Sequence, residues 1–305
     1  MIKLEKVVKE LKKVNAKRVF VQVPDGLRWI LIKIAEFLEK NGFEIVLWGE
    51  HTYGACDIPE KEAKMMNCDT ILHIGHEDFG VKSSLKVVYY PIYFKVNVDP
   101  FKKEVKKLRK FKRICLISSV QFVKEIEKAK KILEKKGFKV IVPKICGIKG
   151  MILGCSYEFL KKVDKNVDCY LVISSGKFHG LGIALKSSKE VFVFDVEKKR
   201  IESLRKLSRK YLKIIEWNKQ KFKEAKTVGL LISSKIGQFK LPFRIKKKIE
   251  KMGKNVFVIF MNEITPEKLE GMNVDVFVNC ACPRIGMEDT VKFRKPLINV
   301  DELFS

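Results

Sequence analysis

The feature that most constrains this chain is an internal repeat. The same succession of elements occurs three times, each copy filling roughly a third of the 305 residues. Every copy opens with a basic amphipathic segment, at 2–15, 100–111 and 201–225. A β-branched strand follows, at 18–23, 113–118 and 227–233. Next come segments with apolar residues at helical spacing, 27–41, 123–136 and 243–252. Each stops at Gly42, Gly137 or Gly253, the residue type that closes a helix in a left-handed turn without steric cost. A second strand begins at once (43–47, 138–142, 256–260), then a third (69–74, 168–173, 275–279) and a fourth (87–90, 191–194, 297–300). Short strands that are apolar throughout and separated by helices are parallel strands covered on both faces. The chain therefore reads as α/β, with three similar small parallel-sheet domains at 1–97, 98–200 and 201–305. No low-complexity or Pro/Gly-rich linker divides them, so they are expected to pack about a pseudo-threefold centre, their C-terminal loops facing it.

The eight cysteines fall into groups on this repeat. Cys115 lies inside a first strand, and Cys68 and Cys169 begin third strands, so all three read as small core residues. Cys56 and Cys155 fall in the loop after the second strand of their copies, each beside small residues (Tyr53-Gly54-Ala55-Cys56 and Leu153-Gly154-Cys155). Copy three has no cysteine there, but Cys280-Ala281-Cys282-Pro283-Arg284 follows its third strand, at the same sheet edge. Ligands of open α/β sheets bind at that edge. No C-x-x-C pair exists, which argues against a zinc ribbon. Three isolated thiolates from three domains suit an iron–sulfur cluster with one iron free of a protein ligand. Cys146 and Cys280 remain alternative ligands.

Other groups gather at the same edge. Pro24-Asp25-Gly26-Leu27 and Ser233–Gln238 follow first strands; His76 and the run Ser174-Ser175-Gly176-Lys177-Phe178-His179 follow third strands. The Ser/Gly/Lys loops offer backbone N–H groups to an anion, although such loops are common. His76 and His179 read equally as ligands, acid–base groups or satisfied loop histidines. Arg284, beside Cys282, is the best partner for a substrate carboxylate, because its fork matches one bidentately.

The net charge of +27 points to an acidic partner or to a lysine-rich composition as such. Only ten of the 63 basic residues are arginines, and the lysines alternate with glutamates, a hyperthermophile pattern. Without an RGG, RNP or zinc-finger motif, no dedicated nucleic-acid site is expected. The charged N-terminus lacks the apolar core of a secretion signal, and no apolar run approaches the ~20 residues of a membrane span. A cytoplasmic setting without membrane attachment is expected; there thiols stay reduced, and clustered cysteines more often bind metal or react.

With these residues assembled, the chain resembles the archaeal enzymes of the first step of diphthamide biosynthesis. The matching pieces are Val23-Pro24-Asp25-Gly26-Leu27, Tyr53-Gly54-Ala55-Cys56, Leu153-Gly154-Cys155, Gly176-Lys177-Phe178-His179, Ile236-Gly237-Gln238 and Cys282-Pro283-Arg284-Ile285. They lie in the family's order and span nearly the whole chain. The resemblance implies a homodimer with a 4Fe–4S cluster on Cys56, Cys155 and Cys282, supplied by an electron donor. It implies a noncanonical radical use of S-adenosylmethionine, without the C-x-x-x-C-x-x-C motif, which is absent here. The 3-amino-3-carboxypropyl group goes to a histidine of translation elongation factor 2, and methylthioadenosine is released. Position at the shared edge and membership in matching motifs assign Arg284, His179 and Gln238 to S-adenosylmethionine. Two alternatives remain: a quinolinate-synthase-like enzyme, also with three α/β repeats and a cluster on scattered cysteines, and a basic RNA-binding protein with a structural metal. The Pro-Asp-Gly-Leu and Cys-Pro-Arg-Ile pieces favour the diphthamide family over the first.

Overall fold

A computed structural model describes residues 2–97 and 99–304. Its contacts divide the chain into two compact units. One holds the described residues up to Ile92 together with Lys235–Gln238; the other holds Tyr93–Ser234 and Phe239 onward.

Each copy of the repeat builds its own parallel sheet. In the first unit the order is Glu44–Leu47, Arg18–Gln22, Thr70–Gly75, Lys86–Pro91. The second unit contains two sheets. One runs Lys139–Ile141, Arg113–Ser118, Cys169–Ser174, Glu190–Asp195 and then Arg200–Ser203. The other runs Asn255–Met261, Thr227–Ser233, Val276–Asn279, Leu297–Asn299. All three thus share the order second, first, third, fourth. In such a sheet the winding reverses between the first and third strands, and the crevice beyond their C-terminal ends is the natural ligand position.

Both faces of the sheets are covered, which is why the strands carry no polar alternation. In the first sheet Val19, Val21, Leu72 and Ile74 pack against Val7, Leu11, Ile34 and Leu38. On its other face Phe20 and Ile71 meet Ile58, Ala63 and Cys68. The expected core cysteines are buried, with Cys115 and Cys169 fully enclosed.

A polar lock recurs three times. The aspartate preceding each third strand accepts hydrogen bonds from the backbone N–H groups that begin the first strand. Asp69 bonds Lys17 and Arg18 at 3.0 Å. Asp168 bonds Lys112 at 3.0 Å and Arg113 at 2.8 Å. Asp275 bonds Lys226 at 2.8 Å and Thr227 at 2.7 Å. These carboxylates satisfy donors that the parallel ladder leaves unpaired at its start.

Gly42, Gly137 and Gly253 have φ near +80 to +90°, as the helix-closing reading requires. Two local expectations change. The segments after the first strands begin as 3₁₀ turns, Asp25–Ile30 and Val120–Glu125, before becoming α-helical at Leu31 and Ile126. The long helix of copy three starts at Arg205, not at 201. Arg200–Ser203 is an antiparallel edge strand, because a turn at Lys199 (φ 54°) and Asp195 bonding the amides of Glu197 and Lys198 fold it back onto Glu190–Asp195. Ile201 is thereby buried in the core of the second copy.

Candidate functional site

In the first unit the Cys56 loop is held from three sides. Gln22, at the end of the first strand and fully buried, donates its side-chain amide to the Asp57 carbonyl at 2.9 Å and to Thr52 Oγ1 at 3.3 Å. Asp57 accepts from the Tyr53 backbone N–H at 3.2 Å and makes a 2.7 Å ion pair with Lys235, both side chains under 10% exposed. The segment carrying Lys235 lies along the cysteine. The Gly237 N–H donates to the Cys56 carbonyl at 2.9 Å, and the Gln238 Nε2 lies 3.4 Å from Cys56 Sγ. A Cβ on Gly237 would stand 2.5 Å from Cys56 Cα, so only glycine permits this approach. Gly54 is different: a Cβ there would meet Cys56 Sγ at 3.6 Å, an ordinary contact, so its smallness leaves open space beside the sulfur. Burial raises the Cys56 thiol pKa, with Asp57 adding to it, while the Gln238 hydrogen bond and the Lys235 charge oppose the rise.

Asp25 of the Pro-Asp-Gly-Leu motif pairs with His51 at 2.5 Å and with Arg28 at 3.1 Å, anchoring the start of the cysteine loop. His76 turns inward to His73, with ring nitrogens 2.9 Å apart. Burial lowers the His76 pKa to about 4, so it is a neutral ring.

In the second unit Cys155 and Cys282 are linked through the helix Phe178–Lys186. Tyr157 donates its hydroxyl to the Gly154 carbonyl at 2.8 Å. Burial raises the Tyr157 pKa, and nearby Cys155 and Cys282 raise it further. Gly154 and Gly182 are both required by packing: a Cβ on Gly154 would overlap the Phe178 ring at 2.1 Å, and one on Gly182 the Tyr157 hydroxyl at 1.8 Å. The other face of this corner belongs to the Cys282 loop. Arg284 lies over the Phe178 ring at 5.2 Å, and its Nε bonds Glu288 at 3.1 Å. His179, next to Phe178, has its pKa lowered to about 4 by burial and by the Arg284 charge, so the arginine carries the positive charge here.

An asparagine pair fixes the backbone beside Cys282. Asn279 donates to the Cys282 carbonyl at 2.8 Å and to Asn299 Oδ1 at 2.7 Å, and Asn299 donates to the Pro283 carbonyl at 2.9 Å.

The two cysteines left open as alternative ligands, Cys280 and Cys146, lie in different settings. Cys280, two residues before Cys282, is 2% exposed in the third core, and burial pushes its thiol up to about 12. Cys146 is exposed at the tip of a small hairpin formed by Lys144–Ile145 and Ile148–Lys149, with φ 47°. Cys56 and Cys282 are half-buried and Cys155 is exposed, each in a loop beyond a strand end. Among the described residues no group of three His, Cys, Asp or Glu side chains is assembled that could hold a metal ion.

A sequence model of the family described as "Putative diphthamide synthesis protein" matches residues 23–305. The chain belongs to this family. The curated 2-(3-amino-3-carboxypropyl)histidine synthase of Pyrococcus horikoshii is 33% identical over 307 residues, which cover 97% of this chain and 87% of that one. The synthase of the same name from Methanocaldococcus jannaschii is 30% identical over 325 residues, covering 99% and 88%. The crystal structure of Dph2 from Pyrococcus horikoshii with a 4Fe–4S cluster superposes with a TM-score of 0.91 at 32% identity, covering 99% of this chain and 89% of that one. The family's fold and this α/β architecture are therefore the same over essentially the whole chain.

Asp57, Tyr157, Asn279 and Asn299 support the cysteine loops, and motif reading passed over them. Asn279 and Asn299 carried a signal: both are polar residues at the C-terminal ends of otherwise apolar strands. Lys235 lies in the Ser233–Gln238 loop picked out as an anion cradle, but its pairing with Asp57, 178 residues away, had no signal.

Proposed function

We propose that this protein transfers the 3-amino-3-carboxypropyl group of S-adenosylmethionine to a histidine of translation elongation factor 2, releasing methylthioadenosine, the first step of diphthamide biosynthesis. The observation that carries the reading is similarity over nearly the full length to synthases named for that product.

A 4Fe–4S cluster fits the donor chemistry of this chain. Among the named cysteines Cys68, Cys115, Cys169 and Cys280 are unsuited, because they are enclosed in the apolar cores of the sheets. Cys56, Cys155 and Cys282 sit in loops with space beside them and would hold the cluster. Each thiolate would ligate a different iron, so the three need not crowd round one ion as they would for zinc. When bound and reduced, such a cluster supplies the electron that cleaves the bond between the sulfonium and the methionine γ-carbon.

The chain's own residues have distinct tasks. Arg284 binds the substrate carboxylate, held in position by stacking on Phe178 and by Glu288. His179 stays uncharged beside it, so it offers a hydrogen bond without competing for the anion. Gln238 contacts the substrate from its place next to Cys56. Gly237, Lys235 and Asp57 fix the Cys56 backbone, so the sulfur keeps one direction. Three similar domains, 1–97, 98–200 and 201–305, about a pseudo-threefold centre would bring the three loops to one point. The protein would act as a cytoplasmic homodimer with a separate electron donor; among the described residues no helix is long and apolar enough to cross a membrane.

The test is anaerobic reconstitution. Iron and sulfide bound by the parent protein are expected to be lost on Cys56→Ala, Cys155→Ala or Cys282→Ala. Full cluster retention in any of the three removes that residue from the ligand set.

A further inference from the structure

We propose that a basic groove along the first half of the helix Arg205–Glu224 docks an extended acidic segment of the protein that carries the target histidine. The proposal rests on the transferase reading above.

The groove has a volume of about 1220 Å³, and its cationic walls are Lys177, Arg205, Lys206, Arg209, Lys210 and Lys213. No acidic side chain lines it among the described residues. Lys177 is counter-charged by Glu202 at 2.6 Å, which leaves five cations from one helix to set the local field. On the helices Leu4–Lys13 and Ile126–Lys135 the lysines are interleaved with glutamates, whereas the lining of this groove has none. It also contains two of only ten arginines in the protein. Arginine matches a carboxylate bidentately, and lysine does not.

Spacing gives a second reason. Arg205, Arg209 and Lys213 form one stripe four residues apart, and Lys206 and Lys210 form a parallel one. Four helical residues rise about 6 Å. Alternate side chains of an extended chain stand about 6.6 Å apart. An extended acidic segment can therefore meet successive cations in register.

The groove adjoins the reactive corner. Lys177 lines it and immediately precedes Phe178, over whose ring Arg284 lies. A polypeptide held there would lead toward the residues assigned to S-adenosylmethionine. A nucleic acid is the less suitable occupant: single-stranded nucleic acid is held by aromatic side chains that stack on its bases, and the nonpolar walls here are Leu207 and Ile214.

The experiment uses the full-length protein, a fluorescent oligoglutamate peptide and a fluorescent oligouridylate of equal charge, read by anisotropy at fixed salt. The variant Arg205→Glu/Arg209→Glu/Lys213→Glu is compared with Lys6→Glu/Lys9→Glu/Lys13→Glu, an equal charge change on the Leu4–Lys13 helix. Circular dichroism confirms that both fold. The groove variant is expected to weaken peptide binding at least tenfold and to raise the KM for the elongation factor by a similar factor, with the control within twofold of the parent. Equal losses in both variants would mean that net charge alone binds, and would overturn the proposal. So would an unchanged groove variant, or tighter binding of oligouridylate than of peptide at the groove. Methylthioadenosine formation by the parent protein without any acceptor is followed separately. Its absence would count against the transferase reading, while the peptide measurement would still decide the groove.

Discussion

Removing the cation of the Lys235–Asp57 pair leaves a carboxylate enclosed under the Cys56 loop. Both side chains are under 10% exposed and lie 2.7 Å apart. Breaking such a pair from one side costs roughly 3–5 kcal/mol, because the remaining charge is buried without its partner. Lys235→Met is therefore expected to destabilise the first unit by about that amount, and Asp57→Asn similarly. The double variant leaves neither charge, so its cost should fall below the sum of the singles by at least ~2 kcal/mol. The assay is urea unfolding followed by tryptophan fluorescence. Trp29 and Trp48 report on the first unit, and Trp217→Phe removes the third tryptophan of the chain. Iron retention after anaerobic reconstitution is read in parallel and should fall in both singles, since the pair fixes the loop of a proposed ligand. Single variants within ~0.5 kcal/mol of the parent, or a strictly additive cycle, would refute the claim that this pair holds the cysteine loop.

Three further outcomes follow from the geometry. Gly237→Ala forces a Cβ to within 2.5 Å of Cys56 Cα, so it should reduce iron content and shift the cluster's electron paramagnetic resonance signal while leaving the second unit's melting unchanged. Cys280→Ala and Cys146→Ala should retain the full iron content, because one thiol is buried in a core and the other lies at a hairpin tip. Asp168 has its pKa lowered to about 2, chiefly by the Arg113 side chain and then by the backbone amides of Arg113 and Lys112. Its folded pKa lies below its ordinary value of 3.8, so the stability it adds is present above pH 3.8 and is lost as the pH falls toward 2. Asp168→Asn should flatten the acid limb of the melting temperature between pH 4 and pH 2, as measured by circular dichroism; an unchanged limb would remove this aspartate from the acid response.

Much of the fold was legible because the repeat writes the same buried parallel strands three times. Strands at 113–118 and 227–233 coincide with those of the structure, and glycines 42, 137 and 253 close their helices as read. The edge strand Arg200–Ser203 was not legible. A run of lysine, arginine and glutamate has a helical composition, and only the turn at Lys199 and the burial of Ile201 decide against it. The 3₁₀ starts were likewise invisible, since periodicity does not separate a 3₁₀ turn from the first turn of an α-helix.

The site divides along the same line. Cysteines in loops after strands stood out by position, and the burial of Cys68, Cys115 and Cys169 matches the core role read for them, while Cys280, left open as an alternative ligand, is buried as well. What holds the loops came from residues outside the loops themselves, such as Lys235 on Asp57, 178 residues away, and Asn299 on Pro283, from the next strand. Those contacts have no period and no motif, so only the assembled structure reveals them. The same is true of Gly237, whose need to be glycine comes from Cys56 and not from its own backbone angles.

The central claim is most directly tested by incubating the anaerobically reconstituted, reduced protein with S-adenosylmethionine and elongation factor 2. Methylthioadenosine is followed by chromatography and the target histidine by mass spectrometry. The account predicts methylthioadenosine together with a 3-amino-3-carboxypropyl adduct on that histidine, both abolished by Cys56→Ala. Reduced, iron-loaded protein that forms neither product would contradict it.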